Sequence, residues 1–560
     1  DAAGEAGVDR AYRRFLGRSV DFEELLYGCK KLIMRDALAS ELNVLSRRLL
    51  RISGGVTFGG EGYARRSHDF TINTLRDALS GVVAEFPVYR TYAADGALSE
   101  QDERYVEWSI ARARKRSAAA DTTVFDFIRG VLLLEEGGPE EHRAAVLAFV
   151  MKFQQYTGPV MAKGMEDTAL YIYNRLPSLN EVGGEPERFA VSPSAFHHQN
   201  AERAKHWPNA MLASSTHDTK RGEDVRARIN VLSEMPNEWR AALVRWGRLN
   251  RSRRREVDGQ QAPSRNDEYL LYATLLGAWP LQDPDDASLA DFTERIKAYM
   301  EKAMREGQVH TSWTKVNEDY EAAVADFVEA VLAPGNNLFL QDFSPFQGRM
   351  ARLGALNALS QTLLKLTVPG VPDVYQGNDL WDLSLVDPDN RRPVDYALRK
   401  KLLSGLKASD ALDVGSLLGD DTWKDGRSKL YLTWKVLELR HERPELFESG
   451  EYVPLEVTGG SADHVLAFAR RRGPDVAIIL ATRLHAPLLT DEGPLLPPPE
   501  TWTDTSIELP EDLAGIKLRN VLTGASLSVE SPNLPVAGLL RNFPGALLAG
   551  RTRTASGGPP

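Results

Sequence analysis

The chain has 560 residues, long enough for about three to four domains, and its 42% hydrophobic content can fill substantial cores. A formal net charge of −10 argues against nucleic acid as a partner, since polyanions are normally met by a basic surface. Cys29 is the single cysteine, which excludes an intrachain disulfide and a cysteine-rich metal site and suits a reducing, cytoplasmic setting, while no apolar run approaches membrane-spanning length.

Residues 1–157 read as helical: Leu38, Leu42, Leu45 and Leu49 recur at helical spacing, as do Ile72, Leu75, Leu79 and Val82. Between them Gly54, Gly55, Gly59, Gly60 and Gly62 punctuate a loop whose spacing matches no phosphate-binding motif. Pro87 stops a helix before Tyr89, Arg90 and Tyr92, leaving Arg90 open to a sugar contact or to a structural ion pair. Within 158–222, Gly158-Pro-Val-Met-Ala-Lys-Gly-Met-Glu-Asp-Thr168 reads as a strand delivering Lys163, Glu166 and Asp167, with Tyr171 beyond. Met211-Leu-Ala-Ser-Ser-Thr-His-Asp-Thr-Lys-Arg221 reads the same way, an apolar run ending in His217, Asp218, Lys220 and Arg221. The bland alternative for Asp218 is an N-cap on the helix suggested by Glu223 to Ile229.

Residues 223–345 are again helical, in the position of a wall or lid, and the basic run Arg251 to Arg255 reads as a solvated helix end. In 346–447, Leu363 to Val368 reads as a buried strand, followed by a loop punctuated by Pro369, Gly370, Pro372 and Gly377 that carries Asp373, Tyr375 and Gln376. Residues 448–550 read as a small all-β domain with a strand, turn and strand across His464 to Leu480, and 551–560 as a disordered tail.

Lys163-Gly-Met-Glu-Asp-Thr168, Asn180-Glu-Val-Gly-Gly184, Ser215-Thr-His-Asp-Thr-Lys-Arg221, Pro369-Gly-Val-Pro-Asp-Val-Tyr-Gln-Gly377 and Leu385-Val-Asp-Pro-Asp-Asn-Arg-Arg-Pro-Val394 resemble the maltooligosyl trehalose synthases of the α-amylase superfamily. Cys29-Lys-Lys-Leu-Ile33, Phe86-Pro-Val-Tyr-Arg90 and Asn266-Asp-Glu-Tyr269 extend the resemblance over nearly the whole chain. It implies an α/β fold: a partial TIM-type (β/α)8 barrel with large helical insertions at 1–157 and 223–345, and a C-terminal β-sandwich. Later barrel strands and catalytic loops would lie in 158–222 and the last strand in 346–447, with the chemistry at the strands' carboxyl ends.

The resemblance also implies a reaction, isomerisation of the reducing-end α-1,4 bond of a maltooligosaccharide to an α,α-1,1 trehalose bond, with no cofactor and no metal. By resemblance Asp218 stabilises the cationic transition state and His217 binds the same sugar. Lys163 and Glu166 would anchor the released glucose, with Asp167 and Tyr171 beside them; Lys220, Arg221, Asp373, Tyr375 and Gln376 would complete the sugar-binding set. Asp387, Asp389, Asn390 and Arg391 form a polar loop that reaches the sugar or folds on itself through Asx turns.

One departure outweighs the matches. The superfamily's nucleophile comes from an Arg-x-Asp-His type segment after the fourth barrel strand and its acid/base Glu from the end of the fifth, and neither precedes residue 158. The remaining Asp-His pair, Asp463-His464, falls in the β region. The expectation is therefore the carboxyl-terminal portion of a longer enzyme, inactive alone, whose partner is an amino-terminal portion of the same enzyme. Two other readings stand beside it: an inactive carbohydrate-binding or scaffold fragment, and an α-amylase-type hydrolase with an acceptor site open to water.

Overall fold

The computed structural model describes residues 1–54, 70–94, 97–118, 122–408 and 412–552, so most of the glycine-rich loop and the final tail lie outside the described residues. The chain divides into two compact units, one of Asp1–Arg18, Asn174–Lys302 and Asn317–Pro560, the other of Ser19–Tyr173 and Ala303–Val316. Among the described residues no helix is long and apolar enough to cross a membrane.

The first unit opens with α1 (Glu5–Leu16). The second unit is helical: α2 (Phe22–Asp36), α3 (Ala39–Ser53), α4 (Ile72–Ala84), α5 (Glu100–Arg116), α6 (Thr123–Leu132), α7 (Glu140–Met161) and α8 (Leu170–Ile172). Asp21, Thr71 and Ser99 start α2, α4 and α5 by accepting the backbone N–H three residues on. Leu42, Leu45 and Leu49 of α3 and Leu75, Leu79 and Val82 of α4 are buried in one core with Phe149 and Phe153 of α7. The periodic leucines seen in the sequence are thus packing residues.

The stretch 158–168 is not a strand. α7 runs through Pro159 to Met161 and passes into a π-helical segment, Ala162–Ala169. A short apolar run does not distinguish a strand from the buried end of a helix, and here Val146, Phe149, Val150, Phe153 and Val160 continue one buried helical face. Thr168 Oγ1 closes the π turn on the Lys163 carbonyl at 2.9 Å. Gly164 lets α2 come close, for a Cβ there would sit 2.8 Å from Cγ of Lys30. The Lys30 ammonium is buried and donates to the Phe86 carbonyl at 2.8 Å.

After residue 173 the chain forms α9 (Pro193–His206), α10 (Glu223–Asn230), α11 (Pro236–Leu249), α12 (Arg265–Ala278), α13 (Asp286–Gly307), whose last residues belong to the second unit, α14 (Glu318–Leu332), α15 (Leu338–Thr367), α16 (Tyr396–Lys407), α17 (Arg427–Glu442) and α18 (Pro444–Glu448). The run Leu363 to Val368, expected as a buried strand, is instead the end of α15, which stops at Val368 because the residue before Pro369 is pushed out of the helical region. Strand β1 (Met211–Leu212) does form, and two short strands, β2 (Arg255–Val257) and β3 (Gln260–Ala262), make a hairpin. β1 pairs in parallel with β4 (Val371–Pro372), and among the described residues the parallel sheet consists of these two strands.

The carboxyl-terminal region is all β: β5 (Glu451–Leu455), β6 (Val457–Thr458), β7 (Val465–Arg472), β8 (Asp475–Thr482), β9 (Ser506–Glu508), β10 (Lys517–Asn520), β11 (Ser526–Ser528), β12 (Asn533–Pro535) and β13 (Gly545–Arg551). They form a six-stranded antiparallel sheet, β11-β10-β13-β8-β7-β5, and a three-stranded one, β12-β9-β6, whose inward residues such as Ile478, Leu480, Ile507 and Leu534 share a core. Buried Arg470 of β7 donates to the carbonyls of Thr367, Phe447 and Gly450, satisfying acceptors at the ends of α15 and α18.

Lys30 makes a measurable prediction. Burial, opposed by the charge of Glu85, lowers its pKa from 10.5 to about 8, so the unfolded chain holds this proton more tightly than the folded one. The contribution to stability is then flat below pH 8, rises as the pH climbs from about 8 to 10.5, and amounts to roughly 3 kcal/mol over that window. Denaturant melts of wild type and Lys30→Met between pH 7 and 10.5 should show wild type gaining on the variant as pH rises; a constant difference contradicts the buried charge.

Candidate active site

Downstream of β1 the chain makes a turn built from its own hydroxyl groups. Thr219 Oγ1 donates to the Thr216 carbonyl at 3.0 Å, and the Asp218 N–H donates to Thr216 Oγ1 at 3.1 Å. His217 and Asp218 stand exposed at its tip, and among the described residues their side chains make no hydrogen bond. Asp218 is not a helix cap: α10 has Gly222 at its N-cap, and the hydroxyl that accepts the Glu223 N–H, at 2.9 Å, belongs to Ser215.

Two side chains from distant segments hold this turn. The Glu181 carboxylate accepts the N–H of Lys220 on one oxygen and that of Arg221 on the other, both at 2.8 Å. From the other side the Asn390 amide donates to the His217 carbonyl at 3.1 Å, with the carbonyls of Thr216 and Thr219 at 3.4 and 3.5 Å. Tyr375 Oη donates to the Asn390 carbonyl at 3.1 Å, and the Gly222 N–H to the Ser384 carbonyl at 2.8 Å. Asp373, at the carboxyl end of β4, gives its N–H to the Leu212 carbonyl of β1 at 2.9 Å. His217, Asp218, Asp373, Tyr375 and exposed Gln376 therefore sit on segments leaving the same end of the parallel pair.

The polar loop 385–392 is anchored rather than free. Asp389 pairs with Arg295 at 2.9 Å and accepts the Leu385 N–H at 2.8 Å, while Asp387 pairs with Lys302 at 2.7 Å. Burial works to raise both carboxyl groups, but the hydrogen bonds and charges of Arg295 and Lys302 outweigh it and hold them below the ordinary range. This fold of the loop runs through cations of α13, which no motif in the sequence advertised.

In the second unit, Lys163 and Asp167 form an exposed ion pair at 2.6 Å, one π-helical turn apart. Tyr89 Oη donates to the largely buried Glu166, and Tyr171 is buried. Arg90 donates to the Thr91 carbonyl and lies over the Tyr92 ring, 4.7 Å from its centroid.

No protein-family profile matches the chain. It is 38% identical over 398 residues, 70% of its length, to a putative maltooligosyl trehalose synthase of Mycobacterium tuberculosis (strain ATCC 25618 / H37Rv), of which the match takes in 45%. The structure of maltooligosyltrehalose synthase from Arthrobacter ramosus superimposes with a TM-score of 0.76 and 32% identity, over 98% of this chain and 61% of that one. In sequence and in fold the chain is similar to maltooligosyl trehalose synthases over most of its own length. A hypothetical maltooligosyl trehalose synthase from Sulfolobus tokodaii gives 0.66 and 26%, over 97% and 60%. The chain thus spans less than half the length of the curated relatives it matches, and about three fifths of the solved ones.

Two of the expected sugar contacts turn inward. Arg221 is 0% exposed, and its guanidinium donates to the Pro177 carbonyl at 3.1 Å and to Tyr299 Oη at 2.8 Å. Lys220 is also buried. The Arg221 contacts tie the end of the turn to the Pro177 segment and to α13. Beneath it lies a group of charges that the sequence reading missed: Lys429 Nζ sits 2.7 Å from Glu223 and 2.8 Å from Asp224, and Lys365 Nζ is 3.0 Å from Glu223. Burial opposes the charge on Glu223, but Lys429 and Lys365 outweigh it and hold that carboxyl low, whereas burial prevails at Asp224, raised to about 6. Lys429 is held protonated by the two carboxylates against its own burial.

Removing one member of such a buried set leaves the others uncompensated. Lys429→Met should lower stability by about 3 to 5 kcal/mol in denaturant melts. Adding Asp224→Asn should recover part of that loss, and a single variant within about 1 kcal/mol of wild type would contradict the network's role.

Proposed function

We propose that this chain forms the sugar-holding part of a maltooligosyl trehalose synthase, in which the reducing-end α-1,4 bond of a maltooligosaccharide is broken and the freed glucose is recaptured through its anomeric hydroxyl. The observation that carries the reading is Asp218, an exposed carboxylate on a turn fixed by Glu181 and Asn390, in a chain that aligns with a solved synthase over 98% of its length. Such a carboxylate, with no local partner to neutralise it, is suited to a sugar that becomes cationic in the transition state. His217 would bond the same sugar, and Asp373, Tyr375 and Gln376 would line the adjoining rim. Lys163, Glu166, Asp167 and Tyr171 are proposed to anchor glucose; the π-helical turn that carries the first three is a local irregularity of a kind frequent at functional sites.

The same proposal takes β1 and β4 as neighbouring strands of a (β/α)8 barrel. Supporting it are their parallel pairing, the helices between them, and a cavity of about 1360 Å³ bordered by Leu212, Ser214, Leu364 and Lys365, where a complete barrel would be filled by side chains. The helices of 1–157 and 223–345 would be insertions in that barrel, and the setting cytoplasmic.

The two bond-breaking carboxylates have no counterpart in this sequence, so the 560-residue polypeptide alone should not turn over maltopentaose. Completed with the relatives' segment that bears them, it should isomerise maltopentaose to a product ending in trehalose. In that enzyme Asp218→Asn should lower kcat by about a hundredfold or more while KM changes little, because the lost interaction is strongest in the transition state. Near-normal turnover by the Asn variant contradicts the assignment. Bound glucan without any isomerisation would mark a carbohydrate-binding scaffold, and release of free glucose as the main product a hydrolase.

A further inference from the structure

We infer that Glu181 and Asn390 are positioning residues that set where Asp218 points; the functional half of this inference rests on the reading proposed above. His217 and Asp218 project from the tip of the turn into the open, with no side-chain hydrogen bond among the described residues to fix their direction, though the Asp387 carboxylate lies within electrostatic reach of His217. Their orientation is inherited from the backbone, and the backbone is gripped on both of its polar faces. On the N–H face one largely buried carboxylate takes two consecutive amides, Lys220 and Arg221, each at 2.8 Å. Convergent amides of this sort form a small anion-binding concavity, and charge-assisted bonds to them are about twice as strong as neutral ones. On the C=O face the buried Asn390 amide points at three carbonyls of the same turn, best at His217 with 3.1 Å.

Each grip is itself built for the purpose. The Glu181 segment turns sharply at Gly183, with φ of 71°, and at Gly184, where a Cβ would meet the carbonyl oxygens of Leu179 and Glu181 at 2.7 and 2.8 Å. In the Asn180-Glu-Val-Gly-Gly184 run the glycines thus allow the sharp turn that follows the carboxylate. Asn390 is held by Tyr375 through its carbonyl, and its neighbour Asp389 by Arg295. A loosened turn would leave the protein folded on its large cores yet let the carboxylate wander, and misplacement by about 1 Å can cost about a hundredfold in rate.

The test uses Glu181→Gln, which keeps the volume but replaces one acceptor by a donor, and separately Asn390→Ala, so that a folding failure of one leaves the other informative. In the 560-residue chain the His217 ring is followed by NMR: one sharp set of signals in wild type, broadened or multiple in each variant, with the melting temperature lowered by only a few degrees. In the completed enzyme each variant should lose about tenfold to a hundredfold in kcat with KM changed less than about threefold. His217 signals unchanged in both folded variants would overturn the inference, as would full kcat in both. If the completed wild type does not isomerise maltooligosaccharides, the proposed function fails, while the His217 signals still decide whether these two residues position the turn.

Discussion

A single carboxylate, that of Glu181, is the constraint on which the candidate site depends. Backbone N–H groups at a turn are ordinarily left to water, but those of Lys220 and Arg221 are buried and must find acceptors inside the protein. Glu181 supplies both at once, and in doing so fixes the point at which the chain leaves the turn and enters α10. From there the geometry propagates: the Ser215 hydroxyl receives the first N–H of α10, and Glu223 and Asp224 are carried down onto Lys429. An exposed acid at the surface is thereby tied to a neutralised group of charges in the interior.

This arrangement separates two uses of charge. In the interior, carboxylates and ammonium groups are matched against each other, because an unmatched ion there is costly. At the tip of the turn Asp218 is left unmatched and exposed, and the role toward a developing cation proposed for it depends on that. The half-buried pairs Asp389 with Arg295 and Asp387 with Lys302 are matched as well, and they anchor the neighbouring loop.

Much of this was legible in the sequence, though unevenly. The leucine stripes of α3 and α4 and the β7–β8 hairpin declared themselves through their periods, since one face of each is buried. The turn at 216–219 was legible as a strand end: a short apolar strand running into exposed hydroxyl, imidazole and carboxylate groups. The two strands assigned at 158–168 and 363–368 were illegible, because a few apolar residues beside glycine or proline fit the end of a buried helix equally well, and α7 and α15 are such helices. Glu181, Lys429 and Arg295 could not be given roles from their own neighbourhoods. Their partners lie 39 or more residues away, and only the fold brings a carboxylate to two amides or a lysine between two acids.

The claim that the turn is held by an internal carboxylate is tested most directly by amide hydrogen exchange at residues 216–222. The account predicts that the N–H groups of Lys220 and Arg221 exchange slowly, at rates comparable to helical core amides, and become fast in Glu181→Gln, while exposed Asp218 exchanges quickly in both proteins. Fast exchange at Lys220 and Arg221 in the wild-type chain would contradict it.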